Sequence, residues 1–403
     1  MGRFHLLLAA LLALLPAVPA MAESPRAPVV ILVSIDGFRA DYLDRGVTPN
    51  LSALAASGIS AAMRPSFPSK TFPNHWALVT GKVPDHNGIV SNHFEDPRRP
   101  GERFGPGNSD PFWWNEAEPI WVTAEKAGIR TAAMFWPGSD VAWGETRGTR
   151  PEDWQHYDQA VTPLQRVETV LDWLRRPEAI RPRLLTLYFD AIDTAGHEYG
   201  PDDPRTNEAL TKADRYIGML VQGLRDLGQP ADLVVVADHG MAAVSSERVI
   251  ALDTIADPAL YRVVDTGPFA AIEPAPGHER QLADALLKPH DHMQCWARKD
   301  IPARLRYGSN PRVASYFCLA QVGWQIAPSA PTEPSSGGAH GYDNAAPEMA
   351  ALFVASGPDI TASGRIAPFD NVDVAPLLRD LLGLPPAPDA DGDDAPFRTA
   401  LRH

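Results

Sequence analysis

"APVVILVSIDG", residues 27 to 37, is a continuous apolar run that ends in Asp36 and Gly37. A strand with protein on both faces has no need of polar alternation, so this stretch reads as a buried strand of a parallel sheet. The pattern returns in "RTAAMFWPG" (130 to 138), "RLLTLYFD" (183 to 190), "ADLVVVADHG" (231 to 240) and "MAALFVASG" (349 to 357). These runs are rich in β-branched or aromatic residues and close on Asp or Gly, as strands entering tight turns do.

Helical patterns fill the intervals. Thr48 as cap, with Pro49 behind it, opens "NLSALAAS", which stops at Gly58; others cover 119 to 128, about 162 to 176, 204 to 228 and 373 to 383. Strands alternating with helices predict an α/β sandwich: a mixed or mostly parallel central sheet with helices on both faces. The interval from about 253 to 330 departs from that rhythm, with many prolines, Trp296, Trp324 and both cysteines, and reads as an inserted cap or lid.

The chain has 403 residues, 44% hydrophobic and 21% charged, and a net charge of -14. That balance belongs to a globular protein and argues against duplex nucleic acid or an anionic membrane surface as partner. At the start, Arg3 precedes "FHLLLAALLALLPAVPA" and then Ala20-Met21-Ala22, the grammar of a secretory signal over residues 1 to 22. Residues 23 to 403 then form a single domain, exported to the periplasm or medium, with no later segment able to span a bilayer. In an oxidising compartment Cys295 and Cys318 read as one disulfide, two buried free thiols being the alternative.

Ligands of open α/β sheets gather at the carboxyl ends of strands. Three runs place carboxylates there: Asp36 after the first, Asp190 and Asp193 after the third, Asp238 with His239 after the fourth. Asp193 and His197 are four apart, as on one helical turn or in a tight loop, and glycines around His340 in "GGAHGYDN" suggest an accessible ring. Imidazole and carboxylate together suit Zn²⁺ better than Mg²⁺ or Ca²⁺. "SKTFPNH" (69 to 75) reads, taken alone, as a loop entering a helix with Thr71 as N-cap.

The chain resembles the nucleotide pyrophosphatase/phosphodiesterase family of the alkaline phosphatase superfamily. The resemblance is carried by "VSIDGFR", "PSFPSKTFPNHWALVTG", "HNGIVSNHFED", "FWPGSD", "DTAGHEYGP", "VVVADHGM", "SNPR" and "GAHGYDN", in family order. The lack of Cys-rich amino-terminal modules and of a second nuclease-like domain makes it look like the compact bacterial type. The resemblance implies two zinc ions, one held by Asp193, His197 and His340, the other by Asp36, Asp238, His239 and the nucleophile Thr71. It further implies that Asn92 donates to a phosphate oxygen and that Phe72 and Tyr188 form a slot for a nucleobase, with Lys70 near the phosphate.

The implied reaction is hydrolysis of nucleotide phosphodiester or pyrophosphate bonds through a phospho-threonine, releasing a nucleoside 5′-monophosphate. A threonine hydroxyl is a poor nucleophile at neutral pH, and coordination to zinc would stabilise its alkoxide. Asn92 and a backbone N–H near Thr71 are expected to complete an oxyanion-type pocket. The alternatives are a phosphomonoesterase or a lipid-headgroup phosphodiesterase of the same superfamily, and, more remotely, a non-catalytic nucleotide-binding protein.

Overall fold

The computed structural model describes residues 26–144 and 148–402; the expected signal over residues 1 to 22 lies outside them. Its centre is an eight-stranded sheet. Six of its strands come in the first part of the chain: β1 (Val29–Ile35), β2 (Ile59–Met63), β3 (Thr131–Met134), β4 (Asp153–Trp154), β5 (Leu184–Phe189) and β6 (Ala231–Val236). Four strands of a second, antiparallel sheet follow: β7 (Tyr261–Asp265), β8 (Phe269–Pro274), β9 (Met293–Ala297) and β10 (Tyr316–Ala320). The chain then returns to the first sheet with β11 (Ala351–Ser356) and β12 (Gly364–Arg365).

The order across the central sheet is β12-β2-β11-β6-β1-β5-β3-β4. β6, β1, β5, β3 and β4 run parallel, and β11 is antiparallel to both β6 and β2. All seven residues of β1 are buried, which is why its sequence shows no alternation. Each fully buried Val, Ile or Leu there contributes on the order of 1.5–3 kcal/mol, so a charged substitution at Leu32 or Val33 would break the sheet at its middle.

Two groups of helices pack the sheet. Pro49–Ser57, Pro163–Arg175, Ala191–Tyr199 and Pro204–Asp226 lean on one another; Thr71–Thr80, Ile120–Lys126 and Val374–Leu382 form the second group. Thr48 makes no side-chain cap bond at the first of these, whereas Thr162 closes a full capping box with Gln165.

The second sheet, in the order β7-β8-β10-β9, occupies the interval that broke the α/β rhythm. Its own apolar cluster includes Ile272, Leu282, Leu286 and Met293. Cys295 and Cys318 face one another across β9 and β10 and are joined by a disulfide. The sheet meets the main body beside the site described next, where Ser91 Oγ donates to Asp265 Oδ2 at 2.7 Å.

Candidate active site

Because β1, β5 and β6 are parallel neighbours, the residues that follow them emerge at one edge. Asp36 follows β1, Asp193 lies in the first turn of the helix after β5, and Asp238 and His239 follow β6. Thr71 begins helix Thr71–Thr80, and His340 directly follows a short strand, Ser336–Ala339, paired antiparallel with Ala242–Ser245. The N-cap position of that helix belongs to Lys70, so the reading of Thr71 as a cap does not hold; its Oγ1 instead lies 3.3 Å from His239 Nε2.

The three imidazoles are oriented by backbone carbonyls. His239 Nδ1 donates to Gly240 O at 3.0 Å, His197 Nδ1 to Gly338 O at 2.8 Å, and His340 Nδ1 to Ser69 O at 2.9 Å. A carbonyl can only accept, so each Nδ1 carries a proton, and in a neutral ring Nε2 then presents a lone pair. Those lone pairs meet acceptors: His239 Nε2 is 3.0 Å from Asp238 Oδ2 and 3.6 Å from Asp36 Oδ1. His197 Nε2 and His340 Nε2 are 3.1 Å apart and lie 3.4 and 3.7 Å from Asp193 Oδ1. Asp36 Oδ1, Asp193 Oδ1 and Asp238 Oδ2 are buried with no hydrogen-bond donor.

Acceptor atoms crowded together repel unless a cation lies between them, most strongly where Asp36, Asp238, His239 and His340 are buried. Two overlapping groups have the spacing to hold one: Asp36, Asp238 and His239, and Asp193, His239 and His340. The rings of His239 and His340 stack at 3.5 Å, so the two groups abut. Burial, reinforced by the charges of Asp238 and Asp193, pushes the Asp36 carboxyl well above its ordinary range, and burial with Asp193 brings Asp238 up to about 8. Burial pushes His239 and His340 down, keeping both neutral. The residues therefore fit a metal centre, and nitrogen with carboxylate oxygen is a zinc-type donor set.

Glycine has a different role here from the one expected. His340 is only 3% exposed, so its ring is packed. The neighbouring glycines permit close approach: a Cβ on Gly338 would stand 2.5 Å from Gly196 O, and one on Gly37, at φ +70°, 2.9 Å from Asp193 Cα. Asp193 and His197 do share a helical turn, in Ala191–Tyr199.

Asn92 Oδ1 accepts the Phe72 backbone N–H at 2.9 Å. That bond fixes which way the amide points, because an N–H can pair only with the oxygen, and it leaves Nδ2 as a donor. It also engages the Phe72 N–H, one of the backbone groups expected near the oxyanion.

Phe72 and Tyr188 both line a cavity of about 430 Å³ that opens beside Thr71, together with Trp114, Phe135, Trp136 and Tyr157. Tyr188 is not a free wall, since its hydroxyl donates to Asp36 Oδ2 at 2.6 Å. Lys70 lies outside that lining; its Nζ is 5.6 Å from the Phe269 ring, and burial lowers its pKa against the pull of Asp265 and Asp193.

Two residues went unassigned in the sequence. His75 is fully buried, donates from Nδ1 to Thr71 O at 2.9 Å, accepts from Ser34 Oγ at Nε2 (2.8 Å), and is held neutral by burial, its pKa about 3. Its position four residues after Thr71 was the available signal, since that spacing puts it over the helix start. Tyr157 sits in a polar, patternless stretch that gave none.

Residues 30–343 match the family of type I phosphodiesterases / nucleotide pyrophosphatases. An uncharacterised pyrophosphatase/phosphodiesterase of Schizosaccharomyces pombe is 37% identical over 386 residues, covering 89% of this chain and 78% of its own. The bis(5′-adenosyl)-triphosphatase enpp4 of Xenopus laevis is 36% identical over 89% of this chain and 78% of its own length. The bovine ectonucleotide pyrophosphatase/phosphodiesterase family member 3 is 35% identical, with 92% of this chain matching 44% of the relative. Murine ectonucleotide pyrophosphatase/phosphodiesterase 5, solved as an inactive variant in complex with AMP, superposes with a TM-score of 0.88 at 32% identity, covering 93% of this chain and all of that one. These relatives are eukaryotic, so the expected bacterial type finds no support among them.

Proposed function

The chain belongs to the type I phosphodiesterase / nucleotide pyrophosphatase family and is a hydrolase of that family, and from that premise we propose that it is an exported two-zinc enzyme that cleaves nucleotide diesters and pyrophosphates next to the α-phosphate. Thr71 is the nucleophile and the product is a nucleoside 5′-monophosphate. The observation that carries this reading is the convergence of three carboxylate oxygens that lack a donor on the Nε2 atoms of His197, His239 and His340, beside the Thr71 hydroxyl.

Asp36, Asp238 and His239, with Thr71, would hold one zinc, and Asp193, His197 and His340 the other. Zinc there would supply positive charge that makes a hydroxyl acidic at neutral pH and offsets charge on phosphoryl oxygens. The chain's own groups do the rest. Thr71, at a helix N-terminus whose dipole favours negative charge, presents Oγ1 to phosphorus, and the bond to the leaving group breaks as Oγ1–P forms. Asn92, its oxygen tied to Phe72, turns Nδ2 toward a phosphoryl oxygen. His75 holds the Thr71 carbonyl and so the helix start. The cavity takes the base against Phe72, with Tyr157 and Tyr188 among its other walls. Water then attacks phospho-threonine and frees Thr71.

Export is supported by the disulfide and by ectonucleotidase relatives. Among the described residues no helix is long and apolar enough to cross a membrane.

The test is hydrolysis of the nitrophenyl ester of thymidine 5′-monophosphate beside nitrophenyl phosphate, with metal analysis. The expected results are diester preference, about two zinc per chain, loss of about 10³-fold or more in Thr71→Ala, and a raised KM in Phe72→Ala. Preference for the monoester would replace the diester reading with a phosphomonoesterase, and full activity in Thr71→Ala would remove the covalent step.

A further inference from the structure

Residues 155 to 160, between β4 and helix Pro163–Arg175, are exposed throughout, yet Gln155, His156 and Tyr157 line the cavity beside Thr71. An exposed segment that supplies the wall of a binding cavity needs anchoring, or ordering it upon binding lowers affinity. The anchors are specific. Tyr157 OH donates to Asp190 Oδ2 at 3.0 Å and Gln159 Nε2 lies 3.5 Å from the same oxygen, while His156 Nδ1 is 2.7 Å from Asp140 Oδ2.

Asp190 stands at the N-cap of Ala191–Tyr199, where an Asp side chain ordinarily caps its own helix, worth about 1 kcal/mol. It makes no cap bond. Its other oxygen instead accepts Arg166 Nη1 at 2.8 Å. Arg166 is 1% exposed and reaches three residues of the same wall: Nη1 donates to Tyr188 O at 3.0 Å and the guanidinium lies over the Phe135 and Tyr157 rings at 5.2 and 5.7 Å, while Nε donates to Val161 O at 2.9 Å. Phe135, Tyr157 and Tyr188 touch edge to face at 5.1 and 5.9 Å. Phe72 belongs to a separate ring group with Phe104 and Trp114. The cavity thus lies between two aromatic groups, and one of them is tied together through Arg166 and Asp190.

We propose that Asp190, oriented by Arg166, is a positioning residue that pins Tyr157 and so sets the aromatic cavity to the thickness of a stacked ring. This rests on the nucleotide reading above. It assigns Asp190 to substrate affinity and not to chemistry at phosphorus, although it lies only three residues before Asp193.

The experiment compares thymidine 5′-monophosphate nitrophenyl ester with methyl nitrophenyl phosphate, a diester without a base. Asp190→Ala is expected to raise KM for the thymidine ester about tenfold with kcat within about twofold, and to leave kcat/KM for the methyl ester within about twofold. Tyr157→Phe, which keeps the ring and the Asp190–Arg166 pair, is expected to raise KM for the thymidine ester about threefold. Equal losses on both substrates in Asp190→Ala, or an unchanged KM in Tyr157→Phe, would overturn the assignment. A wild-type enzyme that cleaves the methyl ester as efficiently as the thymidine ester would overturn the nucleotide reading itself, before any variant is measured.

Discussion

Two sets of carboxylates with buried oxygens in this molecule are opposites. Asp36, Asp193 and Asp238 each keep a buried oxygen with no donor. Asp85 and Asp96, 7% and 2% exposed, are surrounded by donors. Asp85 takes the backbone N–H groups of Gly308, Ser309 and Asn310 at 2.8–3.0 Å, and the Ser309 hydroxyl as well. Asp96 takes Arg98 and the buried Arg312, the latter at 2.7 Å. Arg312 in turn donates to the carbonyls of Gly88, Trp113 and Phe112. Burial raises the Asp96 pKa, but these bonds outweigh it and hold the carboxyl well below its ordinary range, whereas Asp238 is carried up to about 8. Burial alone therefore does not mark a functional carboxylate. What marks it is a deficit of donors that the fold leaves for something else to fill.

The largest expected effect separates the two sets by stability. Arg312→Ala takes one of two arginines from Asp96, leaves the Gly88, Trp113 and Phe112 carbonyls without their donor, and should destabilise the fold by about 3–5 kcal/mol in urea titrations. Zinc content and turnover per folded molecule should stay as in wild type. A selective loss of turnover in the folded fraction would place Arg312 with the reacting groups and dissolve the contrast.

Asp238→Asn should do the reverse. It removes a charge from a crowded trio, so in chelator-treated protein near pH 8 it should stabilise by about 1–3 kcal/mol while zinc affinity falls. The pH dependence has a definite sign. A folded pKa raised from 3.8 to about 8 favours the fold at low pH, and that contribution is lost as pH rises through the interval. The melting midpoint of stripped wild type should therefore fall between about pH 4 and pH 8, and more steeply than that of stripped Asp238→Asn. Equal slopes would mean that Asp238 is satisfied without metal.

The sequence displayed the first set and not the contrast. β1, β5 and β6 were legible because strands buried on both faces must be apolar throughout, and their closing acids fell where parallel strands end. The direction of β11 was not legible, since an apolar run carries no sign of whether its neighbours run with it or against it. Asp36, Asp193, Asp238 and the three histidines were named, and they meet. "SNPR" carried the family resemblance with equal weight, yet its Asn310 and Arg312 are anchors, a fact held in contacts more than 190 residues apart in sequence. Tyr157 was missed because its exposed stretch has neither period nor motif, and its place in the cavity depends on Asp190 and Arg166.

The smallest prediction tests how far saturation protects the second set. Ser309→Ala removes one donor from Asp85 Oδ2, but the Ser309 backbone N–H still reaches that oxygen at 2.8 Å. The loss should be about 0.5–1.5 kcal/mol, the net worth of one hydrogen bond, because no buried acceptor is stranded. Asp85→Ala should cost more than this, since it orphans three backbone N–H groups at once in the turn that ties residues 308–310 to the main body. If the two variants proved equally destabilised, redundancy would not be what keeps these carboxylates ordinary. The donor deficit at Asp36, Asp193 and Asp238 would then lose its value as the mark of a site.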